Sequence, residues 1–165
     1  METYDIAVLG GGAAGLMAAV ASTEAGHSGL RVLVLEGNAR VGKKLLATGN
    51  GRCNLSNRHV SPEHYHGDTG RAITLLKRFP PEKVVGQFVA MGLLCRELEE
   101  GRLYPYSLQA SSVLEILRLH LERQRVKVKC ESLVTGVHRE KEGFLLQTGT
   151  GAYRVRRVIF ATGGL

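Results

Sequence analysis

The sequence contains no tryptophan, and its aromatic residues are limited to five tyrosines and four phenylalanines. So few aromatic rings offer little surface for stacking nucleic-acid bases, which argues against a single-strand-binding module. Lys and Arg number 22 against 15 Asp and Glu, a net charge of +7, but the basic residues are scattered rather than gathered in a long run. We therefore expect no nucleic-acid partner, although a domain that binds nucleic acid or acidic partners through this charge stays open as an alternative.

Cysteine is also scarce, and Cys53, Cys95 and Cys130 show no CxxC spacing. An odd number of cysteines without paired spacing indicates neither a zinc ribbon nor a disulfide framework. No apolar stretch reaches the roughly 18 residues that a membrane helix needs, and the N-terminus lacks the basic and apolar segments of a secretion signal. These absences predict a cytoplasmic protein with no membrane partner and no metal site.

Glycine, in contrast, is abundant, with 21 residues that mostly border apolar runs. Residues 5–9 form such a run, which ends in three consecutive glycines at 10–12. Residues 13–25 are rich in alanine and favour a helix with Gly26 as its stop, and residues 31–35 form a second apolar run. This order predicts a strand, a helix and a parallel strand.

The rest of the pattern predicts one long loop, three helices and five strands. Residues 37–70 lack sustained periodicity and are expected to be loop with short helical pieces. Helices are predicted over 71–78, 81–91 and 112–125, the last with Ser112 and Glu115 as a capping box. Strands are predicted over 126–130, 133–138, 144–148, 153–155 and 158–161. The expected fold class is α/β, a Rossmann-like domain with a central parallel sheet, helices and a three-stranded antiparallel β-meander.

Gly10, Gly12 and Gly15 form a G-x-G-x-x-G motif between the first strand and the first helix. Gly10 permits the tight turn, Gly12 lets the backbone approach a pyrophosphate, and Gly15 allows close packing of the helix. The amides of Ala13 and Ala14 lie in the first helical turn, where free N–H groups favour a phosphate. The motif predicts dinucleotide binding, against the alternative that these are only turn glycines.

Glu36 stands at the end of the second strand, where an acid accepts hydrogen bonds from ribose hydroxyls. An acid at this place repels a 2′-phosphate, which argues against NADP at the same site. The glycine motif and Glu36 by themselves do not separate NAD from FAD.

Residues 42–57, GKKLLATGNGRCNLSN, form the most distinctive segment of the chain. Its cationic, glycine and amide residues suit a phosphate and the edge of a flavin, against the alternative of a solvated loop. Cys53 is expected to be a packed or hydrogen-bonding cysteine rather than a redox thiol. The predicted cofactor contacts in this segment are Lys43, Lys44, Thr48, Gly49, Asn50, Arg52, Cys53 and Asn54.

Four segments together resemble the BaiN/YhiN-type flavoproteins, which are variously described as NAD(P)/FAD-dependent or aminoacetone oxidase-like oxidoreductases. They are GGGAAGLMAA at 10–19, the 42–57 segment, GRLYPYSLQA at 101–110 and ATGG at 161–164. The resemblance covers essentially the whole chain, and the 42–57 motif is its most specific part.

This resemblance implies an FAD-binding domain of an oxidoreductase that transfers hydride through flavin N5, acts on a small-molecule substrate and has NAD(P)H as a candidate electron donor. It implies that Thr162 and Gly163 lie against the flavin nucleotide. Residues 1–165 are then expected to be one domain, the N-terminal portion of a longer flavoprotein in which a substrate or cap domain follows. The alternative is an NAD(H)- or other nucleotide-binding module without flavin chemistry. The substrate, catalytic residues and oligomeric state are left open.

The same resemblance suggests that Arg102, Tyr104 and Ser107 face the flavin or a bound acid. From the residues alone, the segment around them predicts a loop in which Tyr104 is a hydrophobic plug and Ser107 a turn or helix-entry residue. Three further residues, His59, His64 and His66, fit no metal-binding spacing and are expected to be solvated.

Overall fold

The computed structural model describes residues 1–24, 29–67 and 69–164. The predicted helix stop at Gly26 lies outside these residues. The chain divides into two compact units, the first formed by residues 1–45 and 117–165 and the second by residues 46–116.

Fourteen helices and strands, with three short 3-10 helices between them, make up the described chain. They are β1 (Glu2–Leu9), α1 (Ala13–Glu24), β2 (Val32–Leu35), α2 (Lys43–Ala47), β3 (Ser56–Asn57), α3 (Gly70–Arg78), α4 (Pro81–Ala90), β4 (Cys95–Glu97), β5 (Arg102–Pro105), α5 (Ala110–Arg123), β6 (Lys127–Lys129), β7 (Val134–Glu140), β8 (Gly143–Thr148) and β9 (Gly151–Phe160). The 3-10 helices are Thr48–Gly51, Pro62–His64 and Glu99–Gly101. None of the helices described is long and apolar enough to cross a membrane.

The first unit is built on a six-stranded sheet in the order β6-β2-β1-β9-β8-β7. β6, β2, β1 and β9 are parallel, while β9, β8 and β7 form the antiparallel meander. All four residues of β2 are buried, as expected for a parallel strand covered on both faces. The predicted fold class, with its parallel sheet and three-stranded meander, is confirmed.

The predicted division of residues 153–161 into two strands was wrong. Residues 153–155 and 158–161 were expected to form two strands, but β9 runs without a break through Arg156 and Arg157. These two arginines are exposed, and Arg156 forms an ion pair with Asp5 of β1 at 3.3 Å. Charged side chains that reach water interrupt an apolar pattern without interrupting the backbone ladder. β9 therefore belongs both to the meander and to the parallel sheet.

The meander and the parallel strands share one core. Leu33 and Leu35 of β2 cluster with Leu146 of β8 and with Tyr153 and Val155 of β9, all of them buried. The meander thus buries apolar side chains of the parallel strands, which stabilises the first unit.

Helix α1 packs on β1 and β2 through small and medium side chains. Leu16, Ala19 and Val20 of this helix are fully buried. Its alanine-rich composition keeps the buried face narrow, so the helix lies close to the sheet.

The second unit contains a three-stranded antiparallel sheet in the order β3-β5-β4. The sequence pattern predicted a loop over the segment of β5 and no strand over β3 or β4, so that prediction was wrong. These strands have only two to four residues each. Strands this short carry too few residues for a period of two to be recognised.

Helix α5 begins at Ala110, two residues before the predicted start, so Ser112 is not its N-cap. The Ser112 amide donates to the Gln109 carbonyl at 3.1 Å, and its hydroxyl lies 2.8 Å from that of Ser107. The capping-box prediction was therefore wrong, because the first turn already includes Ser112. Ser107 lies in the turn that leads into α5, as the residues alone predicted.

Replacing Leu146 by alanine tests the shared core of the first unit. We expect Leu146→Ala to lower the free energy of unfolding by about 2–5 kcal/mol, because it leaves a cavity between the meander and the parallel strands. Leu119→Ala on α5 is the matched control, since Leu119 is already 37% exposed. Urea unfolding of both variants gives the comparison, and equal losses would contradict this account of the core.

Candidate functional site

The glycine motif forms a tight turn between β1 and α1, and its first residue packs against the end of β9. The Gly10 amide donates to the Leu35 carbonyl at 2.8 Å, and the Ala161 amide donates to the Leu9 carbonyl at 2.9 Å. Gly10 has φ = 107°, and a Cβ built on it would lie 2.4 Å from the Ala161 carbonyl oxygen. No other residue fits here without moving backbone.

The other two glycines of the motif differ sharply in their surroundings. A Cβ built on Gly15 would lie 1.8 Å from the Gly10 carbonyl oxygen, so Gly15 lets α1 start against the turn. A Cβ built on Gly12 meets no atom within 4 Å. The backbone at Gly12 therefore borders open space, as close approach of a ligand requires.

The first turn of α1 provides a favourable environment for an anion. It contains no acidic residue, and Ala13 and Ala14 are exposed. The first amides of a helix have no partner within the helix, and the helix dipole places partial positive charge at this end. The turn can thus hold a pyrophosphate without competition from a carboxylate of α1.

The carboxylate of Glu36 faces this turn. Its Oε2 accepts a hydrogen bond from the Gly11 amide at 2.7 Å, and its Oε1 accepts from the Asn38 backbone amide at 2.8 Å and from the Asn38 side chain. The side chain is nearly buried, with 9% exposure. Oε1 thus accepts two donors, whereas Oε2 accepts one and keeps a lone pair that a ribose hydroxyl can use.

The pKa of Glu36 is lowered from its ordinary value. Burial alone would raise the pKa, but the hydrogen bonds from the amides of Asn38 and Gly11 and from the Asn38 side chain outweigh it. Donors that bind the charged form favour it. Glu36 is therefore a carboxylate at neutral pH.

The ATGG turn lies beside Lys44 in the first unit. The Lys44 ammonium donates to the Gly164 carbonyl at 3.4 Å, and a Cβ built on Gly163 would lie 3.7 Å from Lys44 Nζ. Thr162 directly precedes Gly163 in the sequence. The structure thus brings together Lys44 and Gly164, which are 120 residues apart in the sequence. Lys43 is exposed at the start of α2.

The predicted contacts from Thr48 to Asn54 form a compact loop within the second unit. Gly49, Asn50 and Cys53 have positive φ values of 55°, 54° and 58°. The Cys53 amide donates to the Thr48 carbonyl at 3.0 Å and closes the loop. Gly49 and Asn50 are residue types that adopt the left-handed region readily, whereas Cys53 is of a type that ordinarily disfavours it.

Tyr104 of β5 supports this loop from inside the second unit. The Arg52 guanidinium lies over the Tyr104 ring at 5.2 Å and donates to the Gly49 carbonyl at 3.3 Å. Tyr104 is 3% exposed, which agrees with its prediction as a hydrophobic plug. Arg52 is therefore held in place by the loop itself.

Cys53 and Asn54 are also engaged within the second unit. Burial raises the pKa of the Cys53 thiol, and a hydrogen bond with Thr48 opposes this only in part. A buried thiol of raised pKa is a poor nucleophile, in agreement with the prediction of a packed cysteine. The side-chain amide nitrogen of Asn54, in the orientation that satisfies its hydrogen bonds, donates to the Ser56 carbonyl at 2.7 Å and to the Leu103 carbonyl at 3.2 Å.

Sequence reasoning missed three residues that shape the site of the first unit. Gly11 anchors the carboxylate of Glu36, and a Cβ there would lie 2.5 Å from Val41 Cγ1. Asn38 holds the other carboxylate oxygen, and Leu133, 65% exposed, lies against Gly37. The run of three consecutive glycines at 10–12 was a readable signal for Gly11, whereas no local pattern connects Leu133 with Gly37.

The remaining candidates lie at the surface. Three histidines, His59, His64 and His66, are exposed, and the described residues contain no cluster of His, Cys, Asp or Glu suited to a metal ion. Arg102 forms an ion pair with Glu100 at 3.1 Å.

A protein-family model and several known proteins match this chain over nearly its whole length. The model of a family described as HI0933-like protein Rossmann domain matches residues 4–165. A 3-dehydro-bile acid delta(4,6)-reductase of Clostridium scindens is 39% identical over 160 residues, which cover 96% of this chain and 39% of that protein. A ribosomal RNA dihydrouridine synthase of Escherichia coli is 30% identical over 166 residues, which cover 100% of this chain and 40% of that protein. This chain thus spans about two fifths of the length of these relatives.

A solved structure shows the same fold at lower sequence identity. The flavin-containing monooxygenase from Stenotrophomonas maltophilia aligns with a TM-score of 0.54 and 20% identity, over 99% of this chain and 39% of that chain. At this identity the likeness concerns the fold.

Two glycine variants separate the role of packing from that of open space. Gly15→Ala should lower the free energy of unfolding by about 1–3 kcal/mol or more, because the new methyl group collides with the Gly10 carbonyl. Gly12→Ala is the matched control and should change it by less than about 0.5 kcal/mol, because nothing surrounds that position. Urea unfolding measures both, and a large loss in Gly12→Ala would contradict the open turn.

The lowered pKa of Glu36 predicts a pH dependence of stability. The ionised carboxylate stabilises the fold at pH values above its ordinary pKa of 4.5. This contribution disappears as the pH falls through the lower pKa of the folded state. The difference in unfolding free energy between the wild type and Glu36→Gln should therefore be constant at neutral pH and shrink under acid conditions. Glu142→Gln, in the exposed turn between β7 and β8, is the control; the same acid response in both variants would contradict the Gly11 and Asn38 bonds.

Proposed function

The chain belongs to the HI0933-like Rossmann-domain family, and on this premise we propose that it is the FAD-binding part of a longer flavin-dependent oxidoreductase. The observation that carries the proposal is the carboxylate of Glu36 held at 2.7 Å from the Gly11 amide, beside an open turn at Gly12. This arrangement offers a diphosphate and a ribose their binding groups side by side.

The residues present fit FAD in the first unit. Amides at Gly12, Ala13 and Ala14 would hold the pyrophosphate, and Glu36 would hold the adenosine ribose. Leu133 offers an exposed apolar surface beside Gly37 for the adenine ring. The Ser132 amide donates to the Glu36 carbonyl at 2.8 Å, which fixes this surface next to the ribose acid.

Further contacts are proposed for the flavin side of the cofactor. Thr162 and Gly163 would lie along the nucleotide, with Lys43 and Lys44 supplying positive charge. Thr48, Gly49, Asn50, Arg52, Cys53 and Asn54 stay cofactor contacts predicted from the sequence motif at 42–57. When bound, the flavin would supply hydride transfer through its N5 atom. The role of this chain is then to bind and orient the cofactor.

FAD is favoured over the alternative of an NAD(H)-binding module. The meander of β7, β8 and β9 and the ATGG turn accompany the glycine motif in this chain, and the solved structure that shares its fold is by name a flavin-containing monooxygenase. NAD(P)H remains our candidate for the electron donor.

The names of the relatives suggest a class of reaction. A delta(4,6)-reductase and a dihydrouridine synthase both produce compounds in which a carbon–carbon double bond has been saturated. We therefore propose reduction of a double bond conjugated to a carbonyl group in a small-molecule substrate.

The expectation that nucleic acid is not a partner gains no support, since one of these relatives acts by name on ribosomal RNA. The three cysteines are free thiols, which suits our proposal of a cytoplasmic location.

Titration with FAD tests the cofactor assignment. The intact protein should retain FAD with absorbance near about 450 nm, and Gly12→Ala should weaken FAD at least about tenfold while remaining folded, because its methyl group occupies the space of the pyrophosphate. Arg139→Gln, on the exposed face of β7, is the control and should bind FAD normally. Tight binding of NAD(H) without retention of flavin would overturn the proposal in favour of the alternative.

A further inference from the structure

We infer that the first unit contains a second phosphate-binding site, at the end of the sheet opposite to the glycine turn. A cavity of about 680 Å³ is lined there by Arg31, Arg123 and Arg125, together with Tyr4, Thr23 and Gln124. We call it the arginine cleft. No part of the proposed FAD site contributes to it.

The direction of the parallel strands separates the two places. Arg31 directly precedes β2, and Arg125 lies two residues before β6. These parallel strands end at Leu35 and Lys129, next to Glu36. With about 3.3 Å per residue, the four residues of β2 span about 13 Å between the cleft and the ribose acid. One ribose or phosphate group cannot occupy both.

The guanidinium groups of the arginine cleft form no ion pair with the carboxylates that the structure describes. Among residues 1–24, 29–67 and 69–164, no carboxylate lies within 4.0 Å of the guanidinium groups of Arg31, Arg123 or Arg125. The acids of β1 are bonded to the backbone of Arg31 and to Tyr4, but their ion pairs are with other cations, Glu2 with Lys129 at 2.7 Å and Asp5 with Arg156 at 3.3 Å. Three like charges around one cavity create a field that attracts an anion.

Two of the three arginines are near the end of α5, where the helix dipole favours cations. This effect does not account for Arg31, which is not part of a helix. Its guanidinium lies 5.0 Å from the centre of the Tyr4 ring, and its backbone amide donates to Asp5 at 2.9 Å. Tyr4 is itself 6% exposed and donates to Glu2, so Arg31 is held over a fixed surface.

The chemistry of the arginine cleft fits phosphate groups. A guanidinium presents a planar set of donors that matches two phosphate oxygens at once. Three such groups match the several negative charges of a diphosphate or of adjacent phosphodiesters, whereas a single carboxylate would neutralise only one. The ligand class is thus a phosphate-bearing compound, supplied either as a free nucleotide or as a nucleic-acid backbone.

Binding measurements with two probes test the inference on the full-length protein saturated with FAD, so that the glycine turn is filled. The probes are inorganic pyrophosphate and a single-stranded RNA of mixed sequence. The test variant is Arg123→Gln/Arg125→Gln, and the control is Arg139→Gln/Lys141→Gln, which removes the same charge from exposed positions around β7. Arg31→Gln gives an independent test from another element.

We expect the test variant to weaken at least one probe about tenfold or more, and the control to leave it unchanged. Loss of pyrophosphate binding alone identifies a free nucleotide as the source. Loss of RNA binding identifies a nucleic-acid backbone. In that case the slope of the logarithm of the binding constant against the logarithm of the salt concentration should become shallower by about 1.4 for two lost phosphate contacts. Equal binding by test and control variants, or no binding of either probe to the wild type, would overturn the inference.

The outcome is distinguishable from failure of the proposed function. FAD retention is read separately by its absorbance, and the arginines of the cleft lie outside the proposed FAD site. A protein that binds no flavin but loses pyrophosphate in Arg123→Gln/Arg125→Gln would contradict the proposed function and support the arginine cleft.

Discussion

The hydrogen bond between the Gly11 amide and the Glu36 carboxylate is the interaction on which the site depends. It joins the turn after β1 to the end of β2 at 2.7 Å. Since Gly11 has no room for a side chain and Glu36 is nearly buried, neither partner can move far. The bond keeps an ionised acid beside exposed helix amides, where it can hold a sugar hydroxyl without occupying the place of the phosphate.

The two ends of the parallel sheet differ in the chemical groups that surround them. At the carboxyl ends of β1 and β2, glycines open the backbone, and the arrangement depends on close packing of Gly10 against Ala161. At the amino ends, arginine side chains surround a cavity over Tyr4. The first end presents main-chain amides, which are fixed by the helix and the turn, while the second presents long side chains that carry full charges.

Sequence patterns were most reliable where local chemistry alone decides the structure. The apolar run before residues 10–12 and the alanine-rich stretch after it correctly predicted β1 and α1, because burial and helix propensity act within a few residues. They failed at β9, where Arg156 and Arg157 continue the strand, since their exposure depends on neighbours far away in the chain. They also failed at β5, whose pairing partners come from residues 56–57 and 95–97.

The sequence by itself determined the kind of site, with a glycine turn before a helix and an acid after the next strand. It also identified the family of Rossmann domains. Those features follow from residue types at short spacings, where backbone freedom and charge are properties of the residues themselves. Only the tertiary structure decided that Asn38 and Gly11 share one carboxylate, that Lys44 meets Gly164, and that Arg31 joins Arg125 around a cavity. These contacts join residues whose positions are set by the ordering of strands in the sheet, and strand order is a product of packing across the whole unit.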